Sequence, residues 1–104
     1  MTRFDTEWVR QSMKTCAFLA KLHSLSRDDR EIIEFALSWA PYGGATSADL
    51  LVAFGVHRDK FVELLRAALR PKSTDLDKLQ DLKRNLDVSL QRAWNIDPAQ
   101  TPSA

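Results

Sequence analysis

Apolar residues recur at intervals of three and four along most of the chain, the period of an α-helix, in stretches separated by turn signals. Over residues 6 to about 23, Trp8, Val9, Met13, Cys16, Leu19, Ala20 and His23 share one broad helical face, with Arg10, Lys14 and Lys21 in a stripe opposite. Asp5 is placed to cap this helix, and Phe4 and Val9 have the spacing of a hydrophobic staple. Phe18 and Leu22 fall outside the apolar face, so they predict a second contact, with the chain's own last helix or with another protein.

Ser26 and Asp29 form a capping-box pair that opens a second helix, which Pro41 should end near Ala40. Ile32, Ile33, Phe35, Ala36, Leu37, Trp39 and Ala40 spread over more than half its circumference, as a central core helix requires. After the Pro-Tyr-Gly-Gly turn at 41–44, Thr46 and Asp49 repeat the capping box ahead of a short apolar run, 50–54, and Gly55 suits a left-handed helix stop. A further helix is expected over 58–70, with Phe61, Leu64, Leu65 and Ala68 inward and Pro71 at its end.

Ser73 or Thr74 is expected to cap a last amphipathic helix, about 74–94, whose stripe contains Leu76, Leu79, Leu82, Leu86, Leu90, Ala93 and Trp94. Closing the chain's own core is one use for that stripe. A homodimer seam through Leu79, Leu86 and Leu90 is the other, and Lys83 within the stripe favours a partly wet interface. Residues 95–104 contain two prolines and no apolar period, which predicts a disordered tail after a single domain over 1–94.

Composition agrees with this pattern. Fourteen leucines and 12 alanines stand against 5 valines and 3 isoleucines, so the expectation is an all-α, four- to five-helix domain. Fifteen basic and 14 acidic residues nearly cancel, so any pull on an anionic partner must come from a local patch. The longest apolar run, five residues, excludes a membrane span. A lone cysteine with no secretory signal pattern points to the cytoplasm. No nucleophile and base stand in a catalytic pattern, so no enzyme activity and no cofactor are expected. Cys16 and His23, two helical turns apart at roughly 10 Å, are too distant to share a metal and read as a buried thiol and a core histidine.

The informative stretch is 47–70, which reads as a helix-turn-helix: Gly55 supplies the turn, Leu50, Phe54 and Val56 flank it, and Phe61 and Leu64 anchor the second helix. Leu51 replaces the small residue that close packing usually asks for, and His57 stands where a serine or threonine would cap. In double-stranded DNA the second helix would enter the major groove. The outward candidates are His57, Arg58, Asp59, Val62, Glu63 and Arg66, with Lys60, Arg70 and Lys72 as phosphate contacts. Segment 55–72 carries five basic and two acidic residues, a local charge of +3.

The stretch 25–33 together with 48–69 resembles the helix-turn-helix of sigma factor region 4 and of response-regulator output domains. Over about 32–84, Ile33-Glu-Phe35, Trp39, Gly44-Ala45, Phe54-Gly-Val56 and Leu65 resemble an uncharacterised family of small actinobacterial proteins usually treated as helix-turn-helix DNA binders. The resemblance implies a role in transcription regulation. The alternative left open is a helical adaptor that contacts a transcription-machinery protein, or another cytosolic machine, through Phe18 and Leu22.

Overall fold

The computed structural model describes residues 4–96 and is all-α. Its helices are α1 (Thr6–Lys21), α2 (Arg27–Trp39), α3 (Ser47–Phe54), α4 (Arg58–Ala68) and α5 (Asp77–Ala93), with a 3-10 turn at Ala40–Tyr42. Among the described residues there is no strand.

The first three caps form as the sequence suggests. The Asp5 carboxylate accepts from the Trp8 amide at 2.9 Å, and Ser26 with Asp29 and Thr46 with Asp49 close full capping boxes. The Phe4 ring meets Trp8 edge-on at 4.8 Å. α1 stops two residues before its expected end. His23 takes a left-handed conformation (φ 60°) while the Ser24 amide reaches back to the Leu19 carbonyl at 2.9 Å. That turn carries His23 out of the apolar face into solvent, so it is no core histidine.

α2 lies at the centre, packed against α1 on one side and α4 on the other. Its Phe35 ring meets Phe54 at 5.0 Å and Phe61 at 5.6 Å, which links α2, α3 and α4 through aromatic edges. Trp94, fully buried just after α5, stacks on Phe61 at 5.2 Å and donates its indole N–H to the Ala36 carbonyl at 2.9 Å. Gly44 (φ 99°) runs so close beneath that ring that a Cβ would stand 2.7 Å from it. No residue but glycine fits there.

From Leu79 onward the stripe of α5 closes the chain's own core, whereas Leu76, ahead of the helix, is 72% exposed. Leu79, Leu86 and Leu90 are buried in the chain's core cluster, with α5 packed on α1 and the 3-10 turn, so the homodimer seam assigned to them is not available on the folded surface. Lys83 is no wet interface residue either. It is fully buried, its ammonium donating to Asp75 at 2.7 Å and to the Ser24 carbonyl at 2.9 Å, and Ser24 Oγ donates to the same carboxylate at 2.7 Å. This network explains why α5 starts at Asp77 and not at the Ser73 or Thr74 cap. Asp75 faces inward toward Lys83 and accepts the Lys72 amide at 2.9 Å, which bends residues 72–75 into a turn, and no side chain caps α5. Asn95 and half-buried Ile96, whose amide donates to the Gln91 carbonyl at 2.8 Å, still belong to the folded unit; the rest of the expected tail, 97–104, lies outside the described residues.

Candidate nucleic-acid interface

α3 and α4 meet at a corner set by two features. Gly55 ends α3 in the left-handed region (φ 69°), with its amide on the Leu51 carbonyl at 3.0 Å. His57 offers α4 no side-chain cap, and Ser47 at the start of α3 supplies one instead, its hydroxyl accepting the Arg58 amide at 3.1 Å. One helix thereby caps the next, and the Phe54 and Phe61 rings, 5.4 Å apart, pack the two together beneath that bond. Leu51 points outward at 44% exposure, which removes the conflict its size posed for close packing.

α4 turns three faces to its surroundings. Phe61, Leu65 and Ala68 are buried, as expected, and Leu64 is half-buried. Val62, expected to face outward, is 8% exposed and belongs to the buried side. Arg58 is withdrawn as well: its guanidinium donates to the Trp94 carbonyl and lies 5.5 Å from the centre of the Trp94 ring. Arg58 is held against Trp94 and Val62 is buried, and this removes both from the outward-facing set.

His57, Asp59, Lys60, Glu63 and Arg70 are exposed along the outer ridge, with Arg66 half-buried beside them. Lys60 pairs with Glu63 at 3.7 Å and Asp59 adds a second acid, so the exposed ridge carries a net charge of −1 over its first two turns. Its positive charge is concentrated at the other end. There Arg66 and Arg70, with Arg84 of α5, line a cleft of about 290 Å³ together with Glu63, Leu69, Pro71 and Asp87. Arg66 Nη1 is sealed from solvent and meets no acceptor among the described residues. Lys72 is exposed beyond the cleft, its backbone amide held by Asp75.

Sequence reasoning missed Ser47, Arg84 and Asp87. Ser47 sits one residue after a capping threonine and reads as ordinary helix; Arg84 and Asp87 lie on the polar side of a helix legible only through its leucines. No motif marks any of the three. Phe18 and Leu22, 42% and 46% exposed, do lie on the surface, and the structure adds Tyr42 at 77% and Val52 at 90%. Among the described residues, no group of three or more His, Cys, Asp or Glu is placed to hold a metal, and no helix is long and apolar enough to cross a membrane.

Comparison with known proteins finds no family model, no curated protein and no solved structure that matches the chain.

Proposed function

We propose that this protein is a small helix-turn-helix DNA-binding transcriptional regulator that lays the outer ridge of α4 along a major groove. The observation that carries the reading is the α3–α4 corner, closed by Gly55 and the Ser47 cap, which presents one helix ridge with its positive charge gathered at the C-terminal end. On this geometry His57, Asp59 and Glu63 are the exposed side chains in reach of base edges, while Lys60, Arg66, Arg70, Lys72 and Arg84 hold the backbone. Five phosphate contacts give a salt slope of roughly −4.5 in log affinity against log salt.

Fluorescence anisotropy with duplexes selected from a random pool, at rising salt, tests this. Expected are a steep salt dependence, a slope lowered by about one unit in Arg70→Ala, and sequence preference lost in Glu63→Ala. Absence of duplex binding at low salt sinks the proposal.

A second reading has its own observation. Tyr42, Leu51 and Val52 expose apolar surface on the 3-10 turn and α3, which suits a protein-contacting adaptor of the transcription machinery. Association through that surface would persist at high salt and would be lost in Val52→Asp.

A further inference from the structure

The cleft between the end of α4 and the middle of α5 has a chemistry of its own. It draws Arg66 and Arg70 from α4 and the turn after it, and Arg84 from α5, around an apolar floor of Leu69 and Pro71. Two carboxylates share the lining, and neither is within 4 Å of Arg66. Glu63 turns to Lys60 at 3.7 Å, and Asp87 accepts the Gln91 side-chain amide at 3.0 Å. Among the described residues Arg84 is held by exposed Asp81 at 3.3 Å and half-buried Gln80 at 3.4 Å, long contacts that compete weakly with a better acceptor. Arg66 stands half-buried at the rim of the cleft, and its Nη1, turned away from solvent, meets no acceptor among the described residues, so no protein group there holds the guanidinium against a ligand in the cleft. Attraction of a basic side chain to the carbonyl end of α4 needs no such burial, so the helix dipole does not account for it.

From this we infer that the cleft is a binding site for a phosphate group. Arginines converging from two elements surround a space from several directions, which suits a tetrahedral oxyanion better than a planar carboxylate taken by one fork. The apolar floor strengthens each charge-assisted hydrogen bond by lowering the local dielectric. A volume of about 290 Å³ exceeds a lone phosphate and leaves room for the sugar or ring of an organic phosphate. A phosphomonoester ligand and a phosphodiester of a nucleic-acid backbone supply the same chemistry. The inference goes beyond the reading of α4 as a groove helix and stands without it.

The test uses the full chain, labelled at arginine Nε, with inorganic phosphate in one arm and a short duplex DNA in the other, followed by nuclear magnetic resonance. Phosphate is expected to move the Arg66 and Arg84 Nε–H signals. Arg66→Gln should weaken its binding about tenfold, or about 1.4 kcal/mol. Arg10→Gln on α1 should leave binding unchanged, and Asp87→Asn should tighten it by removing a like charge. Should Arg66→Gln fail to fold by circular dichroism, Arg66→Lys keeps the charge and stem, loses the fork and is expected to bind several-fold more weakly.

If duplex alone moves Arg66, and the variants weaken duplex binding, the phosphate belongs to the nucleic-acid backbone and the inference holds. If phosphate binds and duplex does not, the inference holds and the DNA reading falls. If neither ligand moves Arg66, or the folded Arg66 variants bind as the parent does, the inference is overturned, even where duplex binds elsewhere on α4. An Arg66 signal that responds to Asp87→Asn but not to phosphate overturns it too, since the guanidinium then takes its acceptor from Asp87.

Discussion

Asp75→Ala removes the carboxylate that neutralises the fully buried Lys83 ammonium. In the parent, Lys83 donates to Asp75 at 2.7 Å and to the Ser24 carbonyl at 2.9 Å, with both side chains at 5% exposure or less. The variant leaves a cation with one carbonyl for company, and breaking a buried pair in this way costs about 3 to 5 kcal/mol. A domain of this size has roughly 5 to 15 kcal/mol in total. The loss is therefore expected as a fall of about 12 °C or more in the melting midpoint. Lys83→Met should cost less, since Asp75 keeps the Ser24 hydroxyl at 2.7 Å and the Lys72 amide at 2.9 Å. The pair Lys83→Met with Asp75→Asn should lose less than the two single changes summed.

Acid reports on the same network. Burial pushes the Asp75 carboxyl up, but hydrogen bonds from Lys83, the Lys72 amide and Ser24, with the Lys83 charge, outweigh it and bring the group from 3.8 down to about 2. A carboxyl with a depressed folded-state value stabilises fully above about pH 4 and loses that contribution as pH falls toward 2. Urea melts between pH 7 and pH 2 should show the loss in the parent and a flatter profile in Asp75→Asn. A cost below about 1 kcal/mol for Asp75→Ala at neutral pH would refute the reasoning, because it would mean that Lys83 reaches water unaided.

Three further outcomes follow from the packing. Burial, with the Glu34 charge and against that of Arg30, raises the Cys16 thiol from 9.0 to about 11; stability should therefore fall as pH climbs from about 9 to 11, and iodoacetamide should react far more slowly with native than with urea-unfolded protein. Gly44→Ala meets the Trp94 ring as well as a positive φ and should cost about 3 kcal/mol or more by urea melts, whereas Gly55→Ala has open space and should cost only about 1 kcal/mol, so equal costs would refute the close approach. Arg58→Ala should lower stability by about 1 to 2 kcal/mol through its Trp94 contacts and shift Trp94 fluorescence, with DNA sequence preference, where measurable, unchanged.

The helices were legible because their signals are local. Caps at Asp5, Ser26 and Thr46, the glycine stop at 55 and the period of α5 each act within a few residues. Legibility failed where a distant partner decides. Lys83 looks like a surface lysine until Asp75 and Ser24 surround it, and the same contact holds Asp75 inward and sets the start of α5 away from Ser73 and Thr74. Arg58 occupies an outward position in a generic second helix, but Trp94, 36 residues later, draws its guanidinium in, and Val62 is buried where spacing along the helix alone put it outward. The sequence marked a basic stretch over 55–72 correctly as local charge. It could not show that the Lys60–Glu63 pair quiets one end or that Arg84 joins the other, because neither follows from spacing along one helix.

Trp94 also sets an order of events during synthesis. Its indole bonds a carbonyl 58 positions earlier, and it stacks on Phe61, so the cavity it fills stays open until nearly all of the described chain has left the ribosome. Contacts of such long sequence separation are slow to form. A nascent chain arrested before this tryptophan would leave the Phe61 ring without the indole that stacks on it and the Ala36 carbonyl without its donor, a gap in the core open to chaperones and proteases.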